Sequence, residues 1–240
     1  MQNLPLWVRK MLANGVHLFT ATGAVWGFLT LIAIWEQNFK LAIIYVVIAM
    51  FVDGFDGILA RWLDVKTYAK WIDGGLMDNI IDYLNYVVVA SLLMIKVPGL
   101  LPQGFEMVAA ISILLTSGFQ FSQVEAKTDD ESYFFKGFPS VWNFLVIYMM
   151  LLGLNPWFNL ALVVICNILI FVPVKYLYPT RNTRLRKLTL GFTYAYGAVG
   201  VWGLLQYPNV PEWVAPASFV YVAYYAALSF FPKLGAPKSA

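Results

Sequence analysis

The sequence predicts an all-α fold, a polytopic membrane helix bundle of about eight transmembrane helices. Sixty per cent of the 240 residues are hydrophobic and only 12% are charged, about half the charged share of an ordinary soluble domain. So little polar surface cannot cover a soluble globule, and no nucleic-acid partner is expected. Eight apolar stretches approach the roughly 20 residues that cross a bilayer, and the polar breaks between them are short. No linker, repeat or composition shift divides the chain, so residues 1–240 are expected to form a single integral-membrane domain.

The expected spans are 17–35, 41–62, 74–95, 107–122, 140–154, 157–174, 189–206 and 214–231. Each should be helical, because a lipid-exposed backbone has to satisfy its own hydrogen bonds. Arg9 and Lys10 precede the first span, but no small-residue cleavage site follows it, so that span is read as retained. An even number of spans puts both termini on one side. Met1–Val16, the break after Arg61, the 123–139 and 175–188 loops and the tail hold 14 of the 16 basic residues, and the opposite loops hold only Lys40 and Lys96. By the positive-inside rule both ends are cytoplasmic. The cluster Arg181, Arg184, Arg186 and Lys187 is either a topology determinant leaning on anionic headgroups or a partner for a lipid or nucleotide phosphate.

Six of the 13 acidic residues, Asp53, Asp56, Asp64, Asp73, Asp78 and Asp82, fall within 30 positions. Four of them lie inside or at the ends of apolar helices, where each ionisable group costs about 2.5–3.5 kcal/mol on insertion scales. A purely structural bundle does not explain that cost. Asp53, Asp56, Gly57, Ala60 and Arg61 share one helical face, and Gly74, Asp78 and Asp82 form a second stripe at i, i+4 and i+8. A short turn between two antiparallel helices would bring the stripes together.

Four converging carboxylates repel one another unless cations sit among them. All-oxygen ligation suits Mg²⁺ or Mn²⁺, and four carboxylates suit a pair of ions. Cys166 lies in an apolar span and offers no disulfide or cysteine metal site. His17, the only histidine, is expected at the interface rather than as a ligand. Gly57, Ala60 and Gly74 either open a groove for a phosphate-bearing ligand or permit close helix packing. A cation-coupled transporter would also bury carboxylates, but it commonly shows two related halves, and the acids here cluster once.

Written out, Asp53-Gly-Phe-Asp56-Gly57-Ile-Leu-Ala60-Arg61, then 12 residues, then Gly74-Gly-Leu-Met-Asp78-Asn-Ile-Ile-Asp82, resembles the signature of the CDP-alcohol phosphotransferase family. The interval between Arg61 and Gly74 is longer than the family's usual one. That interval and the Phe-Pro-Ser-x-Trp-Asn stretch at Phe138–Asn143 are similar to the bacterial phosphatidylcholine synthase branch. The resemblance implies two Mg²⁺ or Mn²⁺ ions held by Asp53, Asp56, Asp78 and Asp82, with Asp82 as general base. It implies nucleotide contacts at Gly57, Ala60, Arg61 and Gly74, and release of CMP. For the branch it implies CDP-diacylglycerol as donor and choline as acceptor, in the bacterial inner membrane, and for the family a homodimer.

A quaternary ammonium is usually boxed by aromatic faces and balanced by a carboxylate. Tyr83 and Tyr86 flank Asp82, and the cytoplasmic loop adds Glu131 and Trp142, so these four are the expected acceptor contacts among 41 aromatics and 13 acids. Anionic acceptors such as glycerol 3-phosphate would call for a basic pocket. Beside Arg61 the 53–82 region offers only Lys66 and Lys70.

Overall fold

A computed structural model describes residues 4–123, 134–172, 175–177 and 186–230. Its first two helices, α1 (Leu6–Trp35) and α2 (Phe39–Trp62), pack as an antiparallel pair, and the one-turn α3 (Val65–Tyr68) follows them. Then α4 (Gly74–Asp82), a π-helical segment (Tyr83–Val88) and α5 (Val89–Lys96) run on as one rod. The chain continues through α6 (Glu106–Ser122), β1 (Phe134–Lys136), α7 (Trp142–Leu152), α8 (Pro156–Phe171), β2 (Lys175–Leu177), α9 (Arg186–Leu205) and α10 (Val214–Phe230). Leu6–Trp35, Phe39–Trp62, Gly74–Lys96 and Lys187–Leu205 are long and apolar enough to cross a bilayer. With the shorter apolar helices they make a multi-pass membrane bundle.

Two elements depart from expectation. Helix α1 begins at Leu6, well before the apolar stretch at 17, because tertiary partners hold its polar first turns. Ala13 and Val16 bury against Leu63, Val65 and Ala69. Arg9 donates to the Tyr68 hydroxyl at 2.9 Å, and the Trp71 indole N–H donates to Asn14 at 2.8 Å. Helix α7, expected as a span, has 11 residues, or roughly 16 Å at 1.5 Å per residue, half the hydrocarbon thickness. A helix this short is tolerated where protein rather than lipid surrounds it, and Trp142, Asn143, Val146, Ile147 and Met149 are all buried.

The rod that carries α4 is seated on α1 through missing side chains. A Cβ at Gly23 would stand 2.8 Å from Ile81 Cγ2, and one at Gly27 would stand 2.5 Å from Asn85 Oδ1 and 3.0 Å from Leu84. Asn85 Nδ2 donates to the Gly23 carbonyl at 3.2 Å. Gly23-x-x-x-Gly27 is a small-residue spacing that lets membrane helices approach closely. Asn85 lies in the π segment, and such segments often mark functional positions.

A two-stranded antiparallel ladder pairs β1 with β2, with Phe135 opposite Tyr176, and so joins two of the polar breaks. Beyond β1, Gly137 adopts φ +81° and comes so close to the Ile170 carbonyl that no side chain fits. The stretch that follows is tied to α6 and α8: Gln120 donates to the Phe138 carbonyl, Ser140 donates to Gln120, and the Phe138 N–H donates to Leu169 at 3.0 Å.

Gly27→Val should overpack the α1 seam and lower stability by about 1–3 kcal/mol, the usual cost of inserted methyl groups. Gly15→Ala meets nothing within 4 Å and should keep or raise the melting temperature in detergent, because alanine is the better helix former. Equal melting temperatures for the two variants would contradict this seam.

Candidate metal centre

The six clustered aspartates divide by role. Asp73 caps α4 by accepting from the Leu76 N–H at 3.0 Å. Asp64, at φ +49°, accepts from the Thr67 hydroxyl at 3.0 Å. Both therefore shape the turn between the two acidic helices. From α2 comes Asp53, from α4 come Asp78 and Asp82, and one carboxylate oxygen from each lies within 4.8 Å of the others. Oxygens sharing one hard cation at 2.0–2.1 Å stand roughly 3–4 Å apart, so the trio fits a divalent ion with little movement. All three are half-buried, and their oxygens match Mg²⁺ or Mn²⁺ rather than zinc.

Asp56 stands outside this trio. It is buried, on the side of α2 that faces Thr20 of α1. The structure thus brings three of the four expected carboxylates together and leaves the fourth one turn along α2, held by α1.

A small pocket opens beside the trio, lined by Asp53, Asp82, Asn85, Tyr86 and Asn143 among others. The Tyr86 hydroxyl donates to Asp53 Oδ2 at 2.5 Å, and its ring stacks on Phe144 with centroids 6.3 Å apart and planes 15° apart. Asn143 is buried, and its Oδ1 accepts from the Phe144 N–H at 2.8 Å.

The other expected site residues fall as follows. Arg61 is exposed and folds back over Gly57, its Nη1 lying 3.3 Å from where a Gly57 Cβ would stand. Ala60 packs against the small cluster around Leu63 and Val65. At Gly74 the space a Cβ would take is filled by the His17 ring, with Cε1 at 3.1 Å. His17 is buried, with Nε2 3.3 Å from the Ala69 carbonyl, so it joins α1 to the turn ahead of α4. Tyr83 turns toward α6, donating to the Leu114 carbonyl at 2.8 Å and meeting Phe121 edge-on. Trp142 is fully buried, its indole N–H donating to Ser117 at 2.8 Å, which leaves no exposed face for a ligand. Glu131, Arg181 and Arg184 lie outside the described residues.

Asn85, Asn143 and Thr20 were not singled out from the sequence. A signal existed for two of them. Asn143 closes the Phe138–Asn143 stretch, and Asn85 stands three residues past Asp82, on the same side of the rod. Nothing near Thr20 distinguishes it from other helix threonines.

Comparison with known proteins adds independent evidence. Residues 10–174 match the profile of a family described as CDP-alcohol phosphatidyltransferase. A phosphatidylcholine synthase of Legionella pneumophila is 38% identical over 222 residues, covering 90% of this chain and 86% of the relative. One of Rhizobium johnstonii is 35% identical over 231 residues, covering 94% of each. One of Pseudomonas aeruginosa is 35% identical over 190 residues, covering 79% of this chain and 78% of the relative.

Three crowded carboxylates should make the folded protein sensitive to divalent ions. Mn²⁺ at a hundredfold excess over its dissociation constant should stabilise it by about 2.7 kcal/mol, read as a rise in melting temperature, and Asp78→Asn should abolish most of that rise. An equal rise in the variant would contradict the centre.

Proposed function

Because the chain belongs to the CDP-alcohol phosphatidyltransferase family, we propose that it is a phosphatidylcholine synthase. It moves the phosphatidyl group of CDP-diacylglycerol onto the hydroxyl of choline and releases CMP. The observation that carries this reading is the convergence of Asp53, Asp78 and Asp82 beside a pocket walled by Tyr86 and Asn143. The names of the relatives point to the same product.

Asp53, Asp78 and Asp82, joined by Asp56, would hold Mn²⁺ or Mg²⁺, and four carboxylates suit two ions. When bound, the metal polarises the diphosphate and stabilises charge on the departing CMP. On the nucleotide side the small residues Gly57 and Ala60 let the cytidine diphosphate approach the α2 backbone beside Arg61. The exposed Arg61 guanidinium steadies a phosphate oxygen, and Gly74 offers the first amides of α4. On the acceptor side Asp82 lines the pocket, within reach of a hydroxyl entering there. The choline oxygen attacks the phosphatidyl phosphorus, the bond from that phosphorus to CMP breaks, CMP leaves with the electron pair, and Asp82 takes the hydroxyl proton.

Of the expected acceptor contacts, Tyr86 has its ring in the pocket wall, where it supplies an aromatic face to the trimethylammonium group. Tyr83 and Trp142 serve by holding their helices in place. Beside Arg61 the 53–82 segment carries only Lys66 and Lys70, which favours a cationic acceptor over an anionic one. The Lys/Arg distribution supports an inner-membrane protein of a single domain with both termini cytoplasmic, so choline and the nucleotide reach the site from the cytoplasm. A homodimer is the expected assembly.

Purified protein with Mn²⁺ and labelled CDP-diacylglycerol, given choline, serine, glycerol 3-phosphate and inositol separately, should form phosphatidylcholine. Formation of a different phospholipid would overturn the acceptor assignment. Asp82→Asn should lower kcat about 10²–10⁴-fold, the range for a lost general base, with donor KM near wild type. Near-normal turnover in that variant would put the proton elsewhere.

A further inference from the structure

Tyr86 touches both sides of the site at once. Its hydroxyl donates to Asp53 Oδ2 at 2.5 Å, within the 2.5–2.7 Å typical of a hydroxyl on a carboxylate. Its ring lies flat against Phe144, the residue after Asn143. Its backbone belongs to the π segment, which Asn85 pins to α1 by donating to Gly23. Tyr86 is therefore held from α7 and from α1, and its one polar atom ends on a carboxylate of α2.

Asp53 is the trio's sole contribution from α2, facing Asp78 and Asp82 on the opposite helix. Repulsion from two neighbouring carboxylates turns such a side chain outward unless something holds it. A hydrogen bond from a fixed phenol supplies that hold. It engages Oδ2 of Asp53. Outer partners that orient a metal-binding carboxylate commonly govern affinity 10–100-fold.

We infer that Tyr86 is a positioning residue for Asp53, setting that carboxylate for the divalent ion and coupling it to the Phe138–Phe144 segment through Phe144. The inference rests on the reading of the aspartates as a metal centre. Tyr86→Phe keeps the ring and its stack and removes only the bond to Asp53. Phe144→Leu keeps the bond and removes the stack.

The test is Mn²⁺ binding by electron paramagnetic resonance on the full chain in detergent, for wild type, Tyr86→Phe, Phe144→Leu and Asp53→Asn, with turnover measured against Mn²⁺ concentration. Tyr86→Phe should bind Mn²⁺ roughly 10–100-fold more weakly. Its half-saturating Mn²⁺ should rise by the same factor, so that turnover lost at low Mn²⁺ is relieved only by more Mn²⁺ than wild type needs. Phe144→Leu should show a smaller rise. If Asp53→Asn weakens Mn²⁺ but Tyr86→Phe binds it as wild type does, the positioning role is overturned. A loss of turnover that no Mn²⁺ concentration relieves would likewise overturn it. If Asp53→Asn itself binds Mn²⁺ unchanged, the metal centre is what fails, and the role of Tyr86 falls with it.

Discussion

Like charges held close together in a lipid-embedded bundle dominate this molecule. Two unit charges 4 Å apart interact by about 4 kcal/mol at an effective dielectric of 20, and Asp53, Asp78 and Asp82 bring three carboxylates within 4.8 Å of one another. The helices that carry them must therefore be clamped by contacts independent of the site. Gly23 and Gly27 let α1 lie against Ile81, Leu84 and Asn85, and the Asn85 amide bonds the α1 backbone there. His17 and Trp71 tie the turn ahead of α4 to the same helix. Helix α1 carries none of the three clustered carboxylates, yet it fixes where two of them stand.

The opposite wall is built by polar bonds rather than by small residues. Gln120 grips the Phe138 carbonyl and the Ser140 hydroxyl, and the Trp142 indole is bonded to Ser117. These bonds fix the entry to α7, which in turn presents Asn143 to the pocket and Phe144 to Tyr86. A short helix wedged among others suits this task, because its first turn can be set without the constraint of crossing the bilayer. One phenol, Tyr86, is thus contacted from both walls.

Much of this was legible in the sequence, for reasons that also explain what was not. Spans and acidic stripes follow from local periodicity and from the cost of charge in lipid, so α2, the rod Gly74–Lys96 and α6 lie where expected. The early start of α1 depends on Tyr68 and Trp71, partners more than 50 positions away, which no local pattern records. Asp56 was legible as an acid on the right face, but its burial beside Thr20 depends on how α1 sits. Trp142 was read as a ligand contact on its chemistry and lies in the core instead. The π segment escaped notice because Tyr83–Val88 has the composition of any apolar helix. Tyr86 was expected as an acceptor contact, and it continues the Gly74, Asp78, Asp82 stripe by one further turn, but its bond to Asp53 depends on how α2 and the rod face each other.

The central claim is that the trio forms a divalent metal centre, and anomalous diffraction at the manganese edge tests it most directly. Crystals grown with Mn²⁺ should show an anomalous peak bonded to oxygens of Asp53, Asp78 and Asp82, at about the 2.0–2.2 Å of hard-cation ligation. A protein that turns over only with Mn²⁺, yet shows its anomalous peaks away from these three residues, would contradict the account.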